Sequence, residues 1–217
     1  MTVSGSTRAV AAVDPADLCE AAAQSAARAS DVPIEVLQAI ARVETGRADG
    51  TGRVRPWPWA INVAGQGQWL ESRDAALRHA RTAQGTGIRN IDLGCFQINY
   101  HWHGDAFASL DTMIDPETNA AYAARLLAGL YSRHGSWSAA AAAYHSSTPV
   151  HAERYQARFD AALRQVRAHP PDPDVPTRRR NATLPLAAIG GGPGSLFASA
   201  ATPIAPAPGA IALETMR

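Results

Sequence analysis

The sequence predicts an α+β fold that is mostly α-helical, with one small antiparallel β-sheet inserted. Three observations predict it. Apolar residues recur at helical spacing through most of residues 14–168, in an alanine-rich background. Helix-opening signals precede those stretches: Asp14-Pro15, Asp31 with Pro33, Ser72 and Asp115-Pro116. Between Trp57 and Phe96 the pattern changes to short apolar runs punctuated by glycine, as hairpins require.

Each element follows in order. Residues 1–13 read as a loose leader. Asp14-Pro15 opens a helix to about Ala29, with Leu18, Cys19 and Ala22 on one side. A second helix runs from Pro33 to Thr45, capped by Asp31. Gly46 to Gly52 is a loop. The stretch Trp57-Pro58-Trp59-Ala60-Ile61-Asn62-Val63, the turn Ala64-Gly65-Gln66-Gly67 and then Gln68-Trp69-Leu70 read as a hairpin. Ser72 caps a helix to about Ala83, broken by Gly85 and Gly87. Ile88 to Phe96 is expected as a third strand. Helices follow at about 104–110, 116–132, 136–145 and 151–168. This defines a domain over 14–168. Residues 169–217 hold nine of the fifteen prolines and the run Gly190-Gly191-Gly192-Pro193-Gly194, which read as a disordered tail. The arginines 178–180 in it read as a solvated run.

Composition removes several classes of function. The net charge is +1, so no bulk field recruits nucleic acid or an anionic membrane. All twenty basic residues are arginine, which excludes a Schiff-base lysine and a Walker-type phosphate loop. No apolar run approaches the ~20 residues of a membrane span. Cys19 and Cys95 are the two cysteines and allow one disulfide but no four-thiolate zinc site. His101-Trp102-His103 places two histidines two apart on a strand, without a third ligand or an HExxH pattern, so no metal and no cofactor is expected.

One residue breaks the pattern of its helix. At about 100° per residue, Ile34, Leu37, Ile40 and Ala41 share a face, while Glu35, Gln38 and Arg42 fall opposite. Glu44 lies four residues after Ile40 and seven after Leu37, so it points with them. An ionised carboxylate is costly to bury without partners. A fraying end or an arginine partner would rescue it. Otherwise the carboxyl is a desolvated general acid with a raised pKa.

Three segments line up with Glu44-Thr45. They are Gly94-Cys95-Phe96-Gln97-Ile98-Asn99, then Asn119 after Asp115-Pro116, then Ala142-Ala143-Tyr144-His145-Ser146. In this order they resemble the lytic transglycosylase (SLT) family, which has the goose-type lysozyme-like fold. That family carries a Glu-Ser pair ending a helix, a Gly-Leu-Met-Gln-Ile segment, an Asn on a later helix and an Ala-Tyr-Asn-Ala-Gly segment. Here Thr45 replaces the serine, Cys95-Phe96 replaces Leu-Met, and His145 replaces the asparagine. The hairpin and the Gly94–Asn99 segment resemble a subgroup found beside flagellar genes in alphaproteobacteria.

The resemblance implies a periplasmic enzyme, with the signal peptide not present in this chain, whose substrate is the glycan strand of peptidoglycan. The bond cut is the β-1,4 link between N-acetylmuramic acid and N-acetylglucosamine, closed as a 1,6-anhydro end. It implies Glu44 as the catalytic acid and base. Thr45, Phe96, Gln97, Asn99, Tyr144 and His145 are the expected substrate-binding residues, with Trp59 stacking on a sugar ring. Thr45 and Tyr144 are expected to hydrogen-bond the charged form of Glu44. For a tyrosine or tryptophan taken singly, core packing is the competing reading. An oxidising compartment favours a Cys19–Cys95 disulfide over two buried thiols. The tail is expected to dock a partner, a flagellar rod or scaffold protein by resemblance. Two other functions remain to be weighed. A hydrolytic muramidase needs a second carboxylate, for which Asp92 and Asp49 are candidates. A peptidoglycan-binding scaffold acting through its tail needs no buried acid.

Overall fold

The computed structural model describes residues 14–169. The expected leader, and the expected tail apart from His169, lie outside the described residues. Within them the chain forms helices α1 (Pro15–Arg28), α2 (Ile34–Thr45), α3 (Arg73–Gly85), α4 (Tyr100–His103), α5 (Leu110–Ile114), α6 (Pro116–His134), α7 (Trp137–His145) and α8 (Pro149–Ala168). The strands are β1 (Arg47–Ala48), β2 (Val54–Arg55), β3 (Ala60–Val63), β4 (Gln66–Trp69), β5 (Ile91–Leu93) and β6 (Ile98–Asn99). A mostly helical α+β architecture with a small antiparallel sheet is what the sequence predicts, and the fold is lysozyme-like.

The caps explain where the helices start. Asp14 accepts from the Ala16 backbone N–H, Ser72 from Ala75, Asp115 from Thr118 and Ser136 from Ala139. Asp31 is not a cap: α2 begins after Pro33 without a side-chain cap. The helices then pack α1 against α6, α2 against α8, and α7 against both α6 and α8. Small residues on α1, Ala22, Ala23 and Ala26, are all buried in these contacts.

The loop and the histidine pair depart from expectation, and α2 adds a feature of its own. The Gly46–Gly52 loop contains β1, which pairs with β2 in a separate two-stranded ribbon. On the polar side of α2, Glu35 keeps 31% exposure while Gln38 and Arg42 turn inward. Gln38 is buried and donates to the buried Glu20 of α1 at 3.2 Å, with Arg42 3.7 Å from the same carboxylate. A helix held between α1 and α8 has little solvent face left, so its polar residues pair inward. His101 and His103 lie on the single helical turn α4, not a strand. There His103 Nδ1 meets the Tyr122 hydroxyl at 2.9 Å and His101 packs edge-on against Trp102. Among the described residues no group of three or more His, Cys, Asp or Glu is arranged to hold a metal ion, and no helix is long and apolar enough to cross a membrane.

The expected third strand is two strands joined by a tight turn. The four-stranded sheet has the order β4-β3-β5-β6, all antiparallel. β5 stops at Leu93 because Gly94 has φ +79° and Gln97 has φ +46°, both left-handed and incompatible with an extended strand. No other residue type fits at 94. A Cβ there would lie 2.9 Å from the side-chain amide of Asn119 as well as in the strained region.

That turn is clamped from four helices. The fully buried Asn119 of α6 accepts from Phe96 N at 2.9 Å and donates to Leu93 O at 3.0 Å and Met113 O at 2.9 Å. Tyr144 of α7 donates to Phe96 O at 2.7 Å. Thr45 of α2 lies 3.2 Å from Cys95 O. Cys19 of α1 forms a disulfide with Cys95, with a Cα–Cα distance of 5.7 Å. The cross-link spans a sequence separation of 76, for which the chain-entropy model gives about 4 to 5 kcal/mol. The Cys19→Ser/Cys95→Ser variant is therefore expected to unfold at a much lower urea concentration than the oxidised protein. Coincident urea curves would contradict a stabilising cross-link.

Candidate active site

Glu44 sits in the last turn of α2 and faces α8. Its neighbours Leu37, Ile40 and Val43 are buried in the core, and Glu44 itself keeps only partial exposure. Tyr155 of α8 donates its phenol proton to Glu44 Oε1 at 2.6 Å. Arg158, one turn further along α8, donates to Val43 O at 3.0 Å and brings a positive charge near the carboxyl. Loss of hydration dominates both attractions. It lifts Glu44 from the ordinary 4.5 to about 7, against the lowering effects of the Tyr155 hydrogen bond and Arg158. A neighbouring carboxylate, Asp92 on β5, adds to the rise.

Asp92 is itself displaced. Burial raises it from 3.8 to about 7, opposed by a hydrogen bond from Asn99 Nδ2 to its Oδ1 at 2.7 Å. Repulsion between two carboxylates is mutual, so ionising both costs more than ionising either alone. A second carboxylate, open as a question in the sequence, is thus electrostatically in contact with Glu44.

The expected site residues divide into two groups. Gln97 stands at the strained end of the clamped turn. Its amide donates to Ala60 O at 3.2 Å and Gly94 O at 3.0 Å, while its carbonyl oxygen takes no hydrogen bond among the described residues. It is thereby aimed as an acceptor. His145 stacks on Tyr155 at 4.4 Å between ring centroids and 9° between planes. Burial first, then Arg158 and His151, pull its pKa down to about 4, so it is a neutral ring that holds the phenol in line with Glu44.

The remaining residues spend their side chains on the protein itself, contrary to expectation. Thr45 has no exposed surface. Its hydroxyl serves Ala41 O at 3.0 Å and Cys95 O at 3.2 Å and accepts from Trp57 N at 3.2 Å, which leaves nothing for Glu44. Tyr144 donates to the backbone at Phe96 rather than to Glu44. The Phe96 side chain is wholly buried. Asn99 caps α4 with its oxygen and spends its donors on Asn90 and Asp92. Trp59 is 9% exposed and packed in the core cluster, so it cannot present a ring face. These side chains build the site's walls. For Thr45 and Tyr144 the physical reason is shared: a turn with two left-handed residues needs external partners for its backbone groups, and these two supply them.

Sequence reasoning missed Tyr155 and Arg158. The available signal was the α8 stripe of Tyr155, Phe159 and Val166, all buried, because a phenol on such a stripe needs an inward acceptor. Burial and the charge of Glu44 keep that phenol protonated well above its ordinary range, so it stays a donor.

A desolvated acid at the end of α2, bonded by Tyr155 and with Asp92 of the small sheet within electrostatic reach, is an arrangement suited to general acid chemistry. Residues 60–163 match the family model described as Transglycosylase SLT domain, so this span of the chain is similar to that family. The family's domains are lytic transglycosylases acting on peptidoglycan, typically outside the cytoplasm. The matched span covers Gln97, Tyr144 and Tyr155 but begins after α2, so Glu44 lies before it. No curated protein matches the chain, and no solved structure matches it.

The raised pKa has a signed consequence. A carboxyl whose folded pKa exceeds its unfolded one adds stability fully present below about 4.5 and lost as pH rises through about 7. Glu44→Gln is expected to lose less stability than wild type between those pH values, with other buried groups, Asp92 and Glu20 among them, still contributing. Activity that needs the protonated acid should fall over the same alkaline limb. Tyr155→Phe removes a hydrogen bond to the charged form, so its alkaline limb should move to higher pH. A limb unmoved in Tyr155→Phe would mean that another group sets it.

Proposed function

We propose that the domain over residues 14–168 is a lytic transglycosylase that cleaves the β-1,4 bond between N-acetylmuramic acid and N-acetylglucosamine, with Glu44 as its single acid and base. The observation that carries this reading is the carboxyl's raised pKa of about 7 under the Tyr155 hydrogen bond. An acid that works twice must be neutral when the bond breaks and charged immediately afterwards. Glu44 first protonates the glycosidic oxygen, and the C1–O bond breaks with departure of the N-acetylglucosamine end. The resulting carboxylate is held by Tyr155. It then takes the proton of the muramic C6 hydroxyl as O6 bonds to C1, which restores the acid and leaves a 1,6-anhydro ring. Nothing is consumed except the bond. The intramolecular hydroxyl has a proximity advantage over water.

Asp92 supports a second reading, hydrolysis. Its position within electrostatic reach of Glu44 would suit a base that activates water. Asp49, the other candidate, is half-buried, bonded to Thr51 and Arg53 of its own loop, and held below its ordinary pKa, chiefly by Thr51. It is not a base of this site.

Work on peptidoglycan by an exported enzyme with a Cys19–Cys95 disulfide fits the periplasm. The docking role of residues 169–217, and a flagellar rod or scaffold as its partner, rest on composition and on the resemblance carried by Trp57–Asn62 and Gly94–Asn99.

The test is digestion of purified sacculi and mass spectrometry of the products. Muropeptides with anhydro ends, one water lighter than hydrolytic ones, are expected from wild type. Glu44→Gln should lose ~10²–10⁴ in rate or more while remaining folded. Mostly reducing ends would favour the Asp92 reading, and near-normal turnover by Glu44→Gln would remove the acid assignment altogether.

A further inference from the structure

The sheet carries a polar row across one face. Strand register sets Gly67 of β4, Asn62 of β3, Asp92 of β5 and Asn99 of β6 side by side. Directly opposed residues in antiparallel strands project to the same face. The alternate row, Ile61, Leu93 and Ile98, is buried in the core. The polar row therefore faces the other way, and it contains Asp92, which is near enough for its charge to act on Glu44.

This row is satisfied at one end only. Asn99 binds Asp92 and Asn90 and is fully used. Asn62, next to Asp92 on the other side, is 7% exposed, and its amide oxygen is buried with no hydrogen-bond partner among the described residues. Its far neighbour is Gly67, which has no side chain to donate with. Buried amide oxygens without partners are rare and costly, and a donor brought by a ligand would relieve that cost. Asp92 cannot be that donor once ionised. A glycan strand is rich in hydroxyl and acetamido N–H donors.

We propose that Asn62 is a glycan-binding residue, whose amide oxygen accepts a hydrogen bond from a donor group of the sugar seated between Glu44 and the Asn62–Asp92 row. The proposal rests on the reading of this site as a glycan-cleaving one and adds a binding residue that reaches the substrate from the sheet. Asn62 anchors the sugar, and Glu44 does the chemistry.

Asn62→Leu separates this role from a structural one. Replacing an unsatisfied buried amide by an apolar group of similar shape is close to neutral for folding or stabilising. It should, however, remove the contact with the sugar. The measurement uses the full-length chain carrying Glu44→Gln, so that the ligand survives, titrated calorimetrically with a peptidoglycan tetrasaccharide of alternating N-acetylglucosamine and N-acetylmuramic acid. Addition of Asn62→Leu is expected to weaken binding about ten-fold with the thermal midpoint unchanged or higher. If Asn62→Leu does not fold, Asn62→Ala is read in the same way. Equal affinities in the two backgrounds would overturn the Asn62 assignment while leaving the glycan-cleaving reading in place. Absence of saccharide binding by the Glu44→Gln chain, with no cleavage of sacculi by wild type, would remove that reading and the proposal with it.

Discussion

Four helices meet at one backbone turn, Gly94–Gln97. Its two left-handed residues are conformations that a chain does not keep unaided; at Gln97 the strain is of order 1–3 kcal/mol. Asn119, Tyr144, Thr45 and the Cys19–Cys95 bridge hold it from α6, α7, α2 and α1. The turn in exchange fixes the relative placement of those helices. It ends β5 at Leu93, starts β6 at Ile98, and leaves Gln97 with its amide N–H groups bonded to Ala60 O and Gly94 O and its oxygen without a hydrogen bond among the described residues.

The carboxyl of Glu44 is seated by the same connections. Thr45, the next residue, is locked to Cys95 O and to Trp57 N, and its carbonyl accepts from the Trp69 indole at 3.0 Å. The end of α2 thus cannot fray, and Glu44 cannot swing out to water. α8 closes over it with a phenol rather than a strong cation at hydrogen-bonding distance, since Arg158 spends a donor on Val43 O instead. A guanidinium bonded directly to Glu44 would hold it ionised and useless as an acid. A phenol stabilises the charge by less than burial destabilises it, and the carboxyl stays near the balance point.

Much of this was legible in the residues. The helical period put Glu44 on the inward face because that face is set by Leu37 and Ile40, and a period survives any tertiary context. Helix starts at Pro15, Arg73, Pro116 and Trp137 were readable because caps are local chemistry. What could not be read was long-range. Tyr155 is 111 residues from Glu44, and no local pattern says which acid a buried phenol will meet. Thr45 looked like a partner for its neighbour, but its hydroxyl turned to a carbonyl on the Gly94–Gln97 turn. The run Ile88–Phe96 looked like one strand since its apolar residues do not reveal that Gly94 will be left-handed. The pairing of Gln38 and Arg42 with Glu20 could not be read because Glu20 lies on another helix.

The account turns on a single property, a carboxyl at position 44 that titrates near neutral pH, at about 7. A pH titration of the Glu44 side-chain carboxyl carbon by NMR, assigned by its absence in Glu44→Gln, measures that property without any substrate. The account predicts a midpoint near 7. A midpoint near the ordinary 4.5 would show a hydrated or ion-paired carboxylate, and would contradict the claim that burial makes this residue an acid.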